Sequence, residues 1–147
     1  MAEEVEKIEG IYDKSKLGQP IEEIQITVTE DAMLRYANAI GEQDPKYTKA
    51  GPDLIAHPGI LTVLQTPTGR VEVKFPFAKT GAHGGSSIFN YADIKAGDKL
   101  TVRSKLTDVY TKTGRSGPMG FVVHENEFIR EDGTMVGKVA DSMVSRP

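Results

Sequence analysis

Residues 36–47 read Tyr-Ala-Asn-Ala-Ile-Gly-Glu-Gln-Asp-Pro-Lys-Tyr, and residues 56–58 read Ala-His-Pro. Ala32, Met33, Tyr36, Ala37 and Ile40 recur at helical spacing, so the first stretch is the end of a short helix with one buried face. Thr29 suits the N-cap, Glu30 and Asp31 favour the positive end of the dipole, and Gly41 stands where a left-handed residue closes a helix. A carboxylate pair, Glu42 and Asp44, then falls in a turn stiffened by Pro45. The polar loop runs to Asp53, and His57-Pro58 opens an apolar cluster of Ile60, Leu61, Val63 and Leu64. Proline is well placed in a first helical turn, so residues 58–66 are predicted to form a buried central helix, ended by Thr66-Pro67 and Gly69.

Outward from this centre the pattern changes period. Ile21, Ile24, Ile26 and Val28 mark a first strand over residues 21–28. Residues 1–20 carry charge and glycine without a period and read as an N-terminal arm, with a helical turn around Ile11 to Lys16. In the second half Val71 to Phe77 alternates, Ser87 to Ala92 offers the next strand, and Lys95-Ala96-Gly97-Asp98 is a turn signal. A long strand from Leu100 to about Lys112 meets a hairpin at Gly114 to Pro118. Phe121 to Ile129 returns, and Asp132-Gly133 leads into Met135 to Val144. Strand, helices, then four strands predict an α+β layer, an antiparallel sheet with helices on one face.

Composition narrows the function classes. A chain of 147 residues, 38% apolar and 27% charged, suits one domain over residues 1–147. The acidic start lacks the basic and apolar regions of a signal peptide, and no apolar run is long enough to span a bilayer, so a cytoplasmic location is expected. The absence of cysteine excludes disulfides and thiolate chemistry. A net charge of -3 argues against nucleic acid as a partner. The three histidines, His57, His83 and His124, have no metal-site spacing, so neither a metal nor a cofactor is expected.

The stretch from Tyr36 to Pro58 resembles the MaoC-like dehydratases and (R)-specific enoyl-CoA hydratases, whose motif is Gly-Asp-x-Asn-Pro-x-His. Gly41 and Pro45 match it, while Glu42 stands at the Asp position, Asp44 at the Asn position and Tyr47 at the His position. Three further matches occur in order: His83-Gly84-Gly85, Gly97-Asp98-Lys99-Leu100-Thr101-Val102, and Tyr110-Thr111-Lys112-Thr113-Gly114-Arg115-Ser116-Gly117. These resemble the N-terminal-type dehydratase domain of the superfamily. The resemblance implies a hotdog fold, a curved antiparallel β-sheet wrapped around a central helix. It also implies a substrate that is an acyl thioester of CoA or acyl carrier protein. In that subgroup the domain is often the partner half of an enzyme whose other half carries the intact Asp and His. A homodimer, or a heterotetramer with a catalytic MaoC-like subunit, is the implied assembly, and exposed sheet edges favour pairing in any case.

Hydration of an enoyl thioester needs a base for water, an acid for the α carbon and N–H donors for the thioester oxygen. Glu42, Asp44 and His57 are the candidate catalytic groups, and free N–H groups around Gly59 and Ile60 are expected to supply the donors. Substrate contacts are assigned to Tyr47, Pro58, Gly59, Ile60, His83, Gly84, Gly85 and Arg115. Each has a plainer reading. Glu42 and Asp44 are also ordinary turn residues, His57 a cap or packing histidine, His83 a loop residue, and Arg115 part of a solvated hairpin; His124 reads as half of a surface pair. A glutamate in place of aspartate displaces the carboxylate by more than an ångström, which can cost roughly a hundredfold in rate. A phenol at Tyr47 does not exchange protons near neutrality as imidazole does. The reading that follows is a hydro-lyase subunit that binds substrate and needs a catalytic partner. The alternatives are a self-sufficient lyase or thioesterase, and a non-enzymatic acyl-CoA binding module.

Overall fold

One antiparallel sheet, four of its five strands drawn from the second half of the chain, is seen in a computed structural model that describes residues 8–147. Its strands are β1 (Pro20–Thr27), β2 (Thr80–Asn90), β3 (Lys99–Gly114), β4 (Gly117–Arg130) and β5 (Met135–Arg146), in the spatial order β1-β3-β4-β5-β2. On the inner face Val102 pairs with Phe128, Ser104 with Asn126 and Leu106 with His124. The intervening residues point outward and form cross-strand ion pairs: Arg103 with Glu23 at 2.6 Å, Lys105 with Glu127 at 2.8 Å and Lys138 with Glu125 at 3.5 Å. One face is therefore core and the other solvent, as the period of two requires.

Turn chemistry holds the register. Arg115 and Ser116 connect β3 to β4, with Gly117 at φ 103°, a conformation that side chains resist. The Gly97-Asp98 pair has a structural use: Asp98 accepts the Lys95 N–H at 2.9 Å and holds Arg130 at 3.2 Å, fixing the start of β3 against the end of β4.

Helices cover one part of the inner face. Helix α1 (Glu30–Ala39) starts as expected, with Thr29 Oγ1 accepting from Ala32 N at 3.1 Å, and it buries Met33 and Ala37. A single-turn helix α2 (Pro45–Thr48) follows, and then a 3-10 helix, Pro58–Thr62. Met33, Leu54, Ile60 and Leu61 pack with Leu100, Val102, Phe128, Val136 and Val139 into the main core. Burying each such side chain contributes about 1.5–3 kcal/mol.

Several predicted elements are corrected. The central helix over residues 58–66 is a 3-10 helix of five residues, and Val63 is 61% exposed. His57 Nδ1 closes its start on Gly59 N, Thr62 Oγ1 bonds back to Gly59 O at 2.7 Å, and Pro67 forbids propagation beyond. Val71 to Phe77 keeps its alternation, with Val71 and Phe75 buried, but joins no strand of the sheet; its one bridge is Ile11 to Lys74. Pro76 lacks the N–H that a ladder would use. The strand predicted at Ser87 to Ala92 begins earlier, at Thr80, and ends at Asn90. The helical turn near Ile11 is the short 3-10 helix Lys14–Lys16, capped by Asp13. Of the predicted arm, residues 1–7 lie outside the described residues.

Candidate functional site

The chain leaves α1 through Gly41, at φ 72°, while Glu42 N bonds back to Ala37 O at 2.9 Å. This aims the Glu42 carboxylate at the start of the 3-10 helix. Its Oε1 accepts from the N–H groups of Gln43 and Asp44, both at 3.0 Å, and its Oε2 lies 3.5 Å from His57 Nε2. His57 caps the 3-10 helix: its Nδ1 accepts from Gly59 N at 3.0 Å. Accepting at Nδ1 leaves the proton of a neutral imidazole on Nε2, facing Glu42. Both ring nitrogens are therefore directed at a partner, and Glu42 Oε1 holds two N–H groups, while Oε2 has only the 3.5 Å approach to His57. The backbone donors are engaged too, because Ile60 N bonds to His57 O at 2.9 Å. The free donors expected at Gly59 and Ile60 are satisfied within the chain.

Two aromatic rings flank the pair. Tyr47 stands edge-on to His57 with centroids 5.1 Å apart, and Tyr36 is 5.8 Å away and tilted. The Tyr36 hydroxyl sits over Gly59 in the space that a Cβ would take. The Asp44 carboxylate caps α2, accepting from Lys46 N at 3.1 Å.

A second group lies on the far edge of the sheet. A bulge at His83 to Gly85 shifts the register of β2, and Ser86 stands opposite Asp141 of β5. Ser86 Oγ donates to Asp141 Oδ1 at 2.5 Å, and His83 Nε2 is 3.2 Å from that hydroxyl and 3.5 Å from the carboxylate. Gly84 is packed so closely that a Cβ would meet the Val144 side chain at 2.5 Å. Arg115 stands at the exposed tip of the β3–β4 hairpin, in neither group.

The structure thus brings together Glu42, Tyr47, His57, Pro58, Gly59 and Ile60, and separately His83, Gly84 and Gly85. Tyr36, Ser86 and Asp141 were not among the sequence candidates. Only strand register, Ser86 opposite Asp141, brings the last two together. His124 is corrected: it is 7% exposed, not a surface residue, and its Nε2 has no hydrogen-bond partner. Burial pushes its pKa below the usual value; the Arg70 guanidinium acts in the same direction and Asp141 opposes both. Among the described residues no three histidine, aspartate or glutamate side chains converge as a metal site, and no helix is long and apolar enough to cross a membrane.

A model of the FAS1-like dehydratase domain region matches residues 15–139. The chain belongs to this family. Its fold is that of the MaoC-like hotdog superfamily, with the sheet complete and the central helix reduced to the 3-10 helix. Among solved structures it is similar to a chain of the ChsH1-ChsH2 complex from Mycobacterium tuberculosis, with TM-score 0.66 and 16% identity over 87% of this chain and 84% of that one. It is also similar to a chain of the C-terminally truncated HadBC (3R-hydroxyacyl-ACP dehydratase) complex of the same organism, with TM-score 0.63 and 16% identity over 93% and 96% of the two chains. A MaoC-like dehydratase from Phytophthora capsici gives TM-score 0.65 and 20% identity over 91% of this chain but 49% of its own. No curated protein matches this FAS1-like dehydratase-region chain by sequence.

Proposed function

We propose that this chain is the substrate-holding half of an enoyl-thioester hydratase or 3-hydroxyacyl-thioester dehydratase, and that a MaoC-like partner supplies the catalytic Asp and His. In the hydration direction water oxygen bonds to the β carbon and a proton is delivered to the α carbon, with no redox change. The observation that carries the assignment is that the one acceptor nitrogen of a neutral His57 is taken by the Gly59 N–H. Glu42 accepts two backbone N–H groups and faces His57, while His57 takes the Gly59 N–H. An imidazole that activates water needs a free nitrogen lone pair, which His57 commits to the Gly59 N–H, and a thioester oxygen needs a free N–H. Glu42 and His57 instead tie the turn after α1 to the start of the 3-10 helix, and Asp44 acts as a helix cap.

Partnership is supported by the edge strand. Every residue of β2 is exposed, including Ile88 and Phe89, and Phe89 stacks on the exposed Tyr91 at 6.5 Å. A long edge with apolar side chains is a template for pairing with another chain. Two of the similar structures are two-chain complexes by name. In this reading Tyr47, Pro58, Gly59, Ile60, His83, Gly84 and Gly85 shape the substrate surface, the protein is cytoplasmic, and no cofactor is used.

A second reading, a self-sufficient lyase, rests on the 3.5 Å approach of imidazole to carboxylate. The two are separated in the mixed enzyme, with this chain and a MaoC-like chain carrying an intact Gly-Asp-x-Asn-Pro-x-His motif. Glu42→Gln is expected to change kcat less than about threefold, while replacing the partner's aspartate abolishes turnover; the reverse pattern favours the self-sufficient lyase.

A further inference from the structure

Where the 3-10 helix stops short, a cleft of about 340 Å³ opens on the inner face of the sheet. Leu61, Thr62 and Leu64 line one wall, and Ser86, Asn126 and Asp141 belong to the sheet beneath. An inner sheet face is normally apolar, and the main core obeys that rule. Here the rule breaks along two adjacent rows. One runs His124–Asp141–Ser86 across β4, β5 and β2, and the other pairs Ser104 of β3 with Asn126 of β4.

Three of these groups, Ser104, His124 and Asn126, are buried and carry an unpartnered atom, while Ser86 and Asp141 bond to each other at the more exposed end. Ser104 is 0% and Asn126 4% exposed, and Ser104 Oγ, Asn126 Oδ1 and His124 Nε2 have no hydrogen-bond partner. Most buried polar side chains are satisfied, and an orphan destabilises a fold by about 1–3 kcal/mol. Asn126 lines the cleft together with Thr62, Ser86 and Asp141, so a hydrogen-bonding group lodged there meets a polar lining, with Ser104 and His124 buried beside Asn126 in the sheet. Ser86, His83 and Asp141 do not form a nucleophile relay. The same nitrogen, His83 Nε2, faces both other groups, and the serine proton goes directly to the carboxylate. They make a polar rim, and the carboxylate disfavours an anionic ligand.

We propose that this cleft binds the distal part of an oxygenated acyl chain, one bearing a neutral hydroxyl or carbonyl group beyond the reacting carbons, in preference to a plain alkyl chain. The inference rests on the thioester reading above and specifies its substrate class. A ligand hydroxyl or carbonyl can hydrogen-bond the Asn126 side chain where it lines the cleft, which a methylene cannot do.

The test is calorimetric titration of the full chain with octanoyl-CoA and ω-hydroxyoctanoyl-CoA, and with the hexanoyl and decanoyl pairs to vary reach. At one length or more the hydroxylated ligand is expected to bind about tenfold tighter, the effect of one added hydrogen bond to a largely buried side chain. Asn126→Leu should level that difference. As a check independent of any variant, the Asn126 side-chain amide resonance of the wild-type protein should shift with the hydroxylated ligand and not with its plain counterpart. Equal or tighter binding of the plain chain at every length, with no shift at Asn126, would mean that water alone fills the cleft. The inference then fails while the thioester reading stands. No binding of any acyl-CoA, alone or with the MaoC-like partner, removes both.

Discussion

Gly59→Ala measures how tightly the head of the 3-10 helix is built. Gly59 has no positive φ, so its backbone tolerates alanine, and any penalty comes from contacts. A Cβ there would land on the Tyr36 hydroxyl, 3.0 Å from Tyr36 Cζ and 3.1 Å from His57 Nδ1. Overpacking of this kind typically costs about 1–3 kcal/mol. The reduced entropy of the unfolded chain returns about 0.4–1 kcal/mol. Because the Cβ meets the hydroxyl itself, the packing cost belongs in the upper half of its range, about 2–3 kcal/mol, and the net expectation is roughly 1–2.5 kcal/mol of destabilisation, read as a lower urea midpoint at unchanged m-value. Tyr36→Phe removes the hydroxyl and leaves the 3.0 Å ring and 3.1 Å His57 contacts, so Tyr36→Phe/Gly59→Ala should recover part of the loss. The coupling in the cycle should reach about 1 kcal/mol, above the roughly 0.3–0.5 kcal/mol within which independent sites add. A neutral Gly59→Ala, or an additive cycle, would refute the packing argument.

Three further outcomes follow from the same structure. His124 is held neutral by burial, so its folded pKa lies below the reference 6.5. The unfolded chain then binds the proton first, and stability should fall as pH drops from about 6.5 toward the lowered value and stay flat above it; His124→Gln should reduce that slope in unfolding titrations. Gly120→Ala places a Cβ 2.6 Å from the Phe75 ring. It should cost about 1–3 kcal/mol, partly restored by Phe75→Leu in thermal unfolding. Asp44→Ala should lose about 1 kcal/mol of cap energy in chemical denaturation, with no change in the kcat of the mixed enzyme.

Helix α1 was legible because cap, dipole and period agree: Thr29, then Glu30 and Asp31, then Met33 and Ala37 on one face, then Gly41. Strands β3 to β5 were legible from their alternation and turns. The central helix was over-read because Ile60, Leu61, Val63 and Leu64 give hydrophobicity without length, and a helix between Pro58 and Pro67 has too few residues to repay nucleation. Strand β2 begins Thr80-Gly81-Ala82-His83-Gly84-Gly85 and buries no face, so it left no periodic signal. His124 was misplaced by its acidic neighbours. Glu125 lies one step along the strand, and a period of two sends it to the outer face, where it meets Lys138, while His124 turns inward. The Glu42–His57 contact joins a turn to a loop, and neither has a period from which the approach can be read.

The most direct measurement is a spectrophotometric crotonyl-CoA hydration assay, with longer enoyl-CoAs alongside, on the purified chain and then on the chain co-purified with a MaoC-like chain that carries an intact Gly-Asp-x-Asn-Pro-x-His motif. The commitment of the His57 acceptor nitrogen to the Gly59 N–H leads to no turnover by the chain alone and to turnover by the two chains together that exceeds that of the partner alone. Turnover by the isolated chain, abolished in Glu42→Gln, would contradict it.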